Sequence, residues 1–171
     1  MIYLLTGPVQ TGKTTALAEW ADKQQAAAGL LQTTCEGRRY LKTLRAGETR
    51  ALDCVTGGTE EAIRIGRFRF SASALAWGRR KLLEAARRSP EWLLIDEVGP
   101  LELRGEGLAP AVETVLRERG DSRSPGCHTL LVVRGRLLNA MSDHYAALEG
   151  ARVIRPGELS SVGNTKREAT R

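Results

Sequence analysis

Residues 2–20 read IYLLTGPVQTGKTTALAEW. An unbroken apolar run, IYLLT at 2–6, gives way to a segment with glycines at 7 and 12, and then to a run with helical spacing. An apolar run of this length, without alternation, reads as a strand buried on both faces. In the stretch 14–29, Leu17, Trp20, Ala21, Gln24 and Ala28 fall near one helical face, and Gly29 stands where a helix stop is expected. The joining segment, GPVQTGKT at 7–14, matches G-x-x-x-x-G-K-[ST].

Each residue type in that segment answers a physical demand. Gly7 lets the chain turn sharply off the strand, and Gly12 keeps a Cβ away from an approaching ligand. The loop of Gly7, Pro8, Val9, Gln10, Thr11 and Gly12, through its main-chain N–H groups (Pro8 has none) and the N-terminus of the following helix, forms a cradle for an anion. Lys13 reaches the β- and γ-phosphates of a bound nucleotide, the Thr14 hydroxyl is placed to ligate Mg²⁺, and Thr15 can bond the α-phosphate. A glycine turn with a surface lysine shares these letters, but the strand before it and the helix after it favour a phosphate loop.

Outward from this unit the chain continues in strand–helix order. LLQTTC (30–35) reads as a strand. Residues 36–70 form a β-rich insert, with a hairpin expected around AGET and a short alternating strand in IRIGRFRF (63–70); it can serve as a sheet extension or as a flap. A helix is expected over 71–88 with Ser71 or Ser73 as its cap. EWLLID (91–96), CHTLLVV (127–133) and ARVIRP (151–156) read as strands, with helices expected within 105–120, ended by Gly120, and over 136–150. The polar tail 157–171 is expected to fray. This order calls for a P-loop NTPase α/β fold: a mainly parallel sheet, helices on both faces, one domain over 1–156 and a small β-hairpin insertion. Ligands of such sheets bind at the carboxyl ends of the strands.

A second strand end carries chemistry. WLLIDEVGPLEL (92–103) is an apolar run ending in two acids. Asp96 is placed to hold Mg²⁺ with Thr14, and through water, since this ion keeps several waters. Glu97 is the candidate general base for an attacking water. DEVG also fits D-x-x-G, in which the Gly99 amide touches a γ-phosphate. A guanine-specific N-K-x-D has only NTKRE (164–168) as a partial match, in the polar tail with no strand before it, and no L-S-G-G-Q stands anywhere. Glu102 reads as a helix-start or surface acid.

Bulk properties set the frame. The 171 residues suit one domain, and 42% hydrophobic with 27% charged content is that of a soluble globular protein. No apolar run approaches the ~20 residues that span a bilayer, and no signal peptide is recognisable, so a cytoplasmic location without membrane contact is expected. Cys35, Cys54 and Cys127 are far apart and odd in number, which argues against a disulfide framework. His128 and His144 have no metal-ligand spacing with them. A net charge of +6 suits polyanionic partners, nucleotide or nucleic acid, although most of the arginines read as solvated surface.

GPVQTGKTT, RIGRFRF and LLIDEVGPLEL together resemble the small P-loop nucleoside-triphosphatase family, which includes the cancer-related nucleoside-triphosphatase and thermophile relatives. The resemblance implies Mg²⁺-dependent hydrolysis of ATP, GTP and other nucleoside triphosphates to diphosphates, slow and loose in base preference. It implies that Gly7 through Thr14 and Asp96 through Gly99 bind nucleotide; Lys13 and Glu97 are the candidate catalytic residues from the motifs themselves. QTTCEGRRYLKT keeps the family's Gly37-Arg38-Arg39 but lacks its paired acids. Arg38, Arg39 or Arg134 can supply charge to the γ-phosphate. Two other functions use the same loop: a nucleoside or nucleotide kinase with an arginine-rich lid in the insert, and a nucleotide-gated binding module.

Overall fold

The computed structural model describes residues 1–8, 12–54, 60–120 and 126–162. Along the chain run β1 (Ile2–Leu5), α1 (Lys13–Asp22), β2 (Ala27–Cys35), β3 (Arg38–Thr43), β4 (Thr49–Ala51), β5 (Ala62–Ile65), β6 (Phe68–Ser71), α2 (Ala72–Arg87) and β7 (Trp92–Val98). There follow α3 (Ala109–Gly120), β8 (His128–Val133), α4 (Leu138–His144), β9 (Arg152–Ile154) and α5 (Leu159–Val162). Among the described residues, seven strands form one sheet in the order β4-β3-β2-β7-β8-β1-β9. The run from β2 to β9 is parallel, and β3 and β4 add antiparallel pairs at one edge. The mainly parallel α/β fold expected from the sequence is the one observed.

The apolar strands are continuous because both faces of the sheet are covered. Leu4, Leu93, Ile95, Leu131 and Val133 point to one core, which α2, α3 and α4 close with Leu75, Trp77, Leu82, Val112, Val115, Leu116 and Met141. Their neighbours Tyr3, Leu5, Leu94, Leu130 and Val132 point to the other, closed by Leu17, Trp20 and Ala21 of α1 and by Leu159 and Val162 of α5. Each fully buried leucine contributes about 1.5–3 kcal/mol relative to exposure. Trp92 anchors the second core, its ring 4.8 Å from that of Trp20 and perpendicular to it.

Several local expectations are corrected. The first helix ends at Asp22 rather than at Gly29, and Ala27, Ala28 and Gly29 open β2, paired with Trp92, Leu93 and Leu94 of β7. Gly29 has φ 139°, and a Cβ there would overlap the Leu94 carbonyl. Three small residues suit a helix by propensity, but the inter-strand ladder and this close approach require strand. IRIGRFRF is a two-stranded hairpin, β5–β6, turned at Gly66 with φ 55°, rather than one strand. The insert thus divides: β3 and β4 extend the main sheet, while β5 and β6 stand apart from it. Ser71, not Ser73, caps α2, accepting from the Ala74 amide at 3.1 Å. The helix expected over 136–150 breaks at Tyr145, whose φ of −111° and ψ of 99° are extended. Residues 159–162 of the tail pack into the core through Leu159 and Val162; 163–171 lie outside the described residues. No helix among the described residues is long and apolar enough to cross a membrane.

Candidate functional site

The strand order sets the distances. β8 lies between β1, which leads into the glycine loop, and β7, which carries the two acids. Neighbouring strands are ~4.8 Å apart, so the carboxyl ends of β1 and β7 are about 10 Å apart, with the end of β8 between them. This gap suits a phosphate group with a cation.

At the β1 end, Gly7 and Pro8 leave the strand and Gly12 precedes α1. Gly12 has φ 71°, with open space where its Cβ would stand. The glycine is therefore required by left-handed backbone geometry rather than by crowding. The Lys13 ammonium curls back to donate to the carbonyls of Gly7 at 3.1 Å and Pro8 at 2.6 Å. Thr14 is half-buried in the first turn of α1, and Thr15 beside it is exposed. Val9, Gln10 and Thr11 lie outside the described residues.

At the β7 end the ladder slips. Ile95 pairs with Leu131, but the next pair is Val98 with Val133, so β7 has one residue more than β8 across this step. A bulge of this kind re-aims side chains. Ile95 and Val98 both enter the same core, and the surplus falls on Asp96 and Glu97.

Asp96 is 1% exposed. Burial pushes its carboxyl up to about 7; a hydrogen bond from the Thr14 hydroxyl opposes that, the charge of Glu97 adds to it, and the Gln32 amide and the charge of Lys13 oppose it. Thr14, at the start of α1, is thus near enough to the acid that ends β7 to act on its charge. Asp96 Oδ2 is buried with no hydrogen-bond partner. An orphaned carboxylate oxygen beside a threonine hydroxyl is a hard-oxygen donor set that fits Mg²⁺, which uses few protein ligands and keeps its waters.

Glu97 is half-buried and forms an ion pair with the Arg134 guanidinium, whose Nε donates to its Oε1. Arg134 directly follows β8, and the next residue, Gly135, lies against the start of the loop: a Cβ there would be 3.5 Å from Thr6 Oγ1. Of the three arginines left open by the sequence, Arg134 reaches the acid pair. Arg39 instead is bound to Asp53, and Arg38 is exposed. A charged residue at the carboxyl end of the strand next to the loop strand was the available signal.

Gly99 and Glu102 are bound to each other, and Glu102 opens a short 3-10 turn, Glu102–Arg104. The Gly99 amide donates to Glu102 Oε2 at 2.7 Å. Glu102 is 4% exposed and also accepts from the Leu108 amide at 2.8 Å, just before α3. It is an internal brace, not a surface acid. Burial pushes its carboxyl up to about 7 in spite of these two amides. The arrangement can hold a polyphosphate at the β1 end and present a carboxylate, already oriented by an arginine, from the β7 end.

A family model described as NTPase matches residues 2–124. The crystal structure of THEP1 from the hyperthermophile Aquifex aeolicus aligns with a TM-score of 0.72, covering 95% of this chain and 96% of that one at 18% identity. At that identity the likeness is one of fold. No curated protein matches the chain significantly.

Proposed function

Because the chain belongs to the NTPase family, we propose that it is an Mg²⁺-dependent nucleoside-triphosphate phosphohydrolase acting on ATP, GTP and other nucleoside triphosphates. The supporting observation is the placing of Asp96, its Oδ2 buried without a hydrogen-bond partner, at the end of β7, with β8 alone between it and the β1 strand that leads into the glycine loop. The loop from Gly7 to Thr15 binds the phosphates through main-chain amides, and the Lys13 ammonium moves from the Gly7 and Pro8 carbonyls to phosphate oxygens. Thr14 and Asp96 are the residues that hold Mg²⁺. Held there, Mg²⁺ would supply positive charge against the bound polyphosphate.

Glu97 accepts a proton from the attacking water. Arg134 holds its carboxylate in place and, from the end of β8, brings positive charge to the transferring phosphoryl group. Most of the catalysis is positioning and charge stabilisation by groups already in place. The Gly99 amide contributes indirectly, by anchoring the segment after Glu97 to Glu102.

Phosphate release is measured with ATP, GTP, CTP and UTP, with and without Mg²⁺. Wild type turns over all four only with the ion. Lys13→Ala loses turnover and weakens nucleotide binding together. Glu97→Gln lowers kcat by at least about 100-fold while nucleotide still binds. An unchanged rate in Glu97→Gln would remove the assigned base.

A further inference from the structure

Beside Glu97 lies a cavity of about 250 Å³. The β-rich insert builds one wall with Arg39, Leu41, Leu52, Ile65, Phe68 and Phe70. Leu75 of α2, and Leu101 and Leu108 from the segment between β7 and α3, form its apolar floor. Polar groups are confined to a few positions: Gln32, Arg39, Glu97, Glu102, Arg134 and Arg136.

Three features give this cavity a direction. First, Arg134 and Arg136 also line a second recess that contains Thr6, Gly7 and Pro8, so the cavity and the phosphate loop meet at the same arginines. Second, the cavity wall is organised. The Arg39 guanidinium lies 4.2 Å from the Phe68 ring centroid and 4.6 Å from that of Phe70. It is held there by Asp53, whose Oδ2 accepts from Arg39 Nε at 3.2 Å and from the Arg39 main-chain amide at 2.7 Å. Asp53 in turn bridges to Phe70 of the hairpin. Third, Glu97 itself lines the cavity, so a group bound there stands next to the carboxylate proposed as base.

The volume is just below the ~300–1,000 Å³ of typical small-molecule sites, so a second nucleotide or a peptide does not fit. The wall of leucines and phenylalanines selects an apolar or aromatic body. Arg136, exposed at the mouth, favours an anionic substituent.

We propose that this cavity is an acceptor pocket for a small, largely apolar alcohol, and that the enzyme transfers the γ-phosphoryl group to it in competition with water. The inference rests on the proposed phosphate-loop site and on Glu97 as base. In the step, the acceptor hydroxyl gives its proton to the Glu97 carboxylate and its oxygen forms the new bond to the γ-phosphorus. The bond from that phosphorus to the β–γ bridging oxygen breaks, its electron pair leaving on the nucleoside diphosphate. The products are a phosphomonoester and the diphosphate, and Glu97 then releases its proton to solvent.

The test uses 4-(hydroxymethyl)benzoate as acceptor probe and 4-methylbenzoate as a control without the hydroxyl. Phosphorus NMR of reactions with Mg-ATP is expected to show a phosphomonoester with the alcohol and ATP consumption several-fold above the probe-free rate. The control is expected to slow phosphate release. Phe68→Ala and Ile65→Trp, which open and fill the cavity, abolish both effects while probe-free hydrolysis stays at the wild-type rate. That rate also reports that the variants are folded. Normal hydrolysis with no phosphomonoester, whether or not the probe binds, overturns the acceptor pocket and leaves the hydrolase standing. Absence of probe-free hydrolysis in wild type overturns the earlier reading instead.

Discussion

Glu102 carries more of the architecture than its place in a run of acids suggests. Its two oxygens serve two amides, Gly99 after the acid pair and Leu108 ahead of α3, and a Cβ at Gly107 would run into it. Tyr145 adds a hydroxyl that donates to the Glu102 carbonyl at 3.3 Å. Burial raises the carboxyl from 4.5 to about 7. An acid with a raised folded-state pKa binds its proton more tightly in the native state, so its contribution falls as pH rises from 4.5 to about 7. At ~1.4 kcal/mol per pKa unit the change is on the order of 3 kcal/mol. Asp96 titrates with the same sign over 3.8 to about 7, so a variant is needed to separate them. Urea denaturation of wild type and Glu102→Gln at pH 5 and pH 8 should show the advantage of wild type shrinking at the higher pH. Parallel stabilities at the two pH values would refute the assignment. None of this is readable from the letters PLEL, because the spacing of a lone glutamate says nothing about what folds over it.

At the level of elements, the boundary between α1 and β2 shows how propensity yields to pairing. AAAG has no helix-breaking residue until Gly29, and the periodicity of Leu17, Trp20 and Ala21 extends naturally into it. Yet the Trp92 amide donates to the Ala26 carbonyl at 3.1 Å, and Arg45 donates to the Ala27 carbonyl at 3.2 Å, which fastens this stretch to β7 and to the β3–β4 turn. Gly29→Ala is expected to lower unfolding free energy by about 3 kcal/mol or more, since its Cβ would meet main-chain atoms of Leu94 in the sheet centre. Ala28→Gly, one residue away, is the control, and equal losses in the two variants would show that the close approach is not the cause. The stretch 63–70 was legible as alternating sequence, but as one strand and not as the hairpin that turns at Gly66. Its separation from the main sheet was not legible, since the alternation of a strand names its faces and not its partner.

At the scale of the whole molecule, the far end of the chain supports its beginning. Leu159 and Val162 are 3% and 4% exposed and pack in the same core as Leu17 and Trp20 of α1, the helix that opens with Lys13 and Thr14. Leu159→Ala should cost about 2–4 kcal/mol in urea denaturation, and isothermal titration should show weaker nucleotide binding with the same stoichiometry. Full stability in that variant would mean that this last turn is not part of the core.

The order of apolar runs, the strand–glycine loop–helix unit at 2–20 and the acids ending a buried strand at 92–97 were enough to establish the α/β class and to single out the two strand ends of the candidate site, because burial on both faces and tight turns leave their mark in local composition. Which arginine meets Glu97, what the Gly99 amide bonds to, and which insert residues enclose the cavity beside that acid were decided only by tertiary structure. Those are relations between segments as far apart as Arg39, Glu97 and Arg134, set by the placing of β8 between β1 and β7 and by the fold of the hairpin over the sheet edge, and strand order leaves no trace in the periodicity of any single strand.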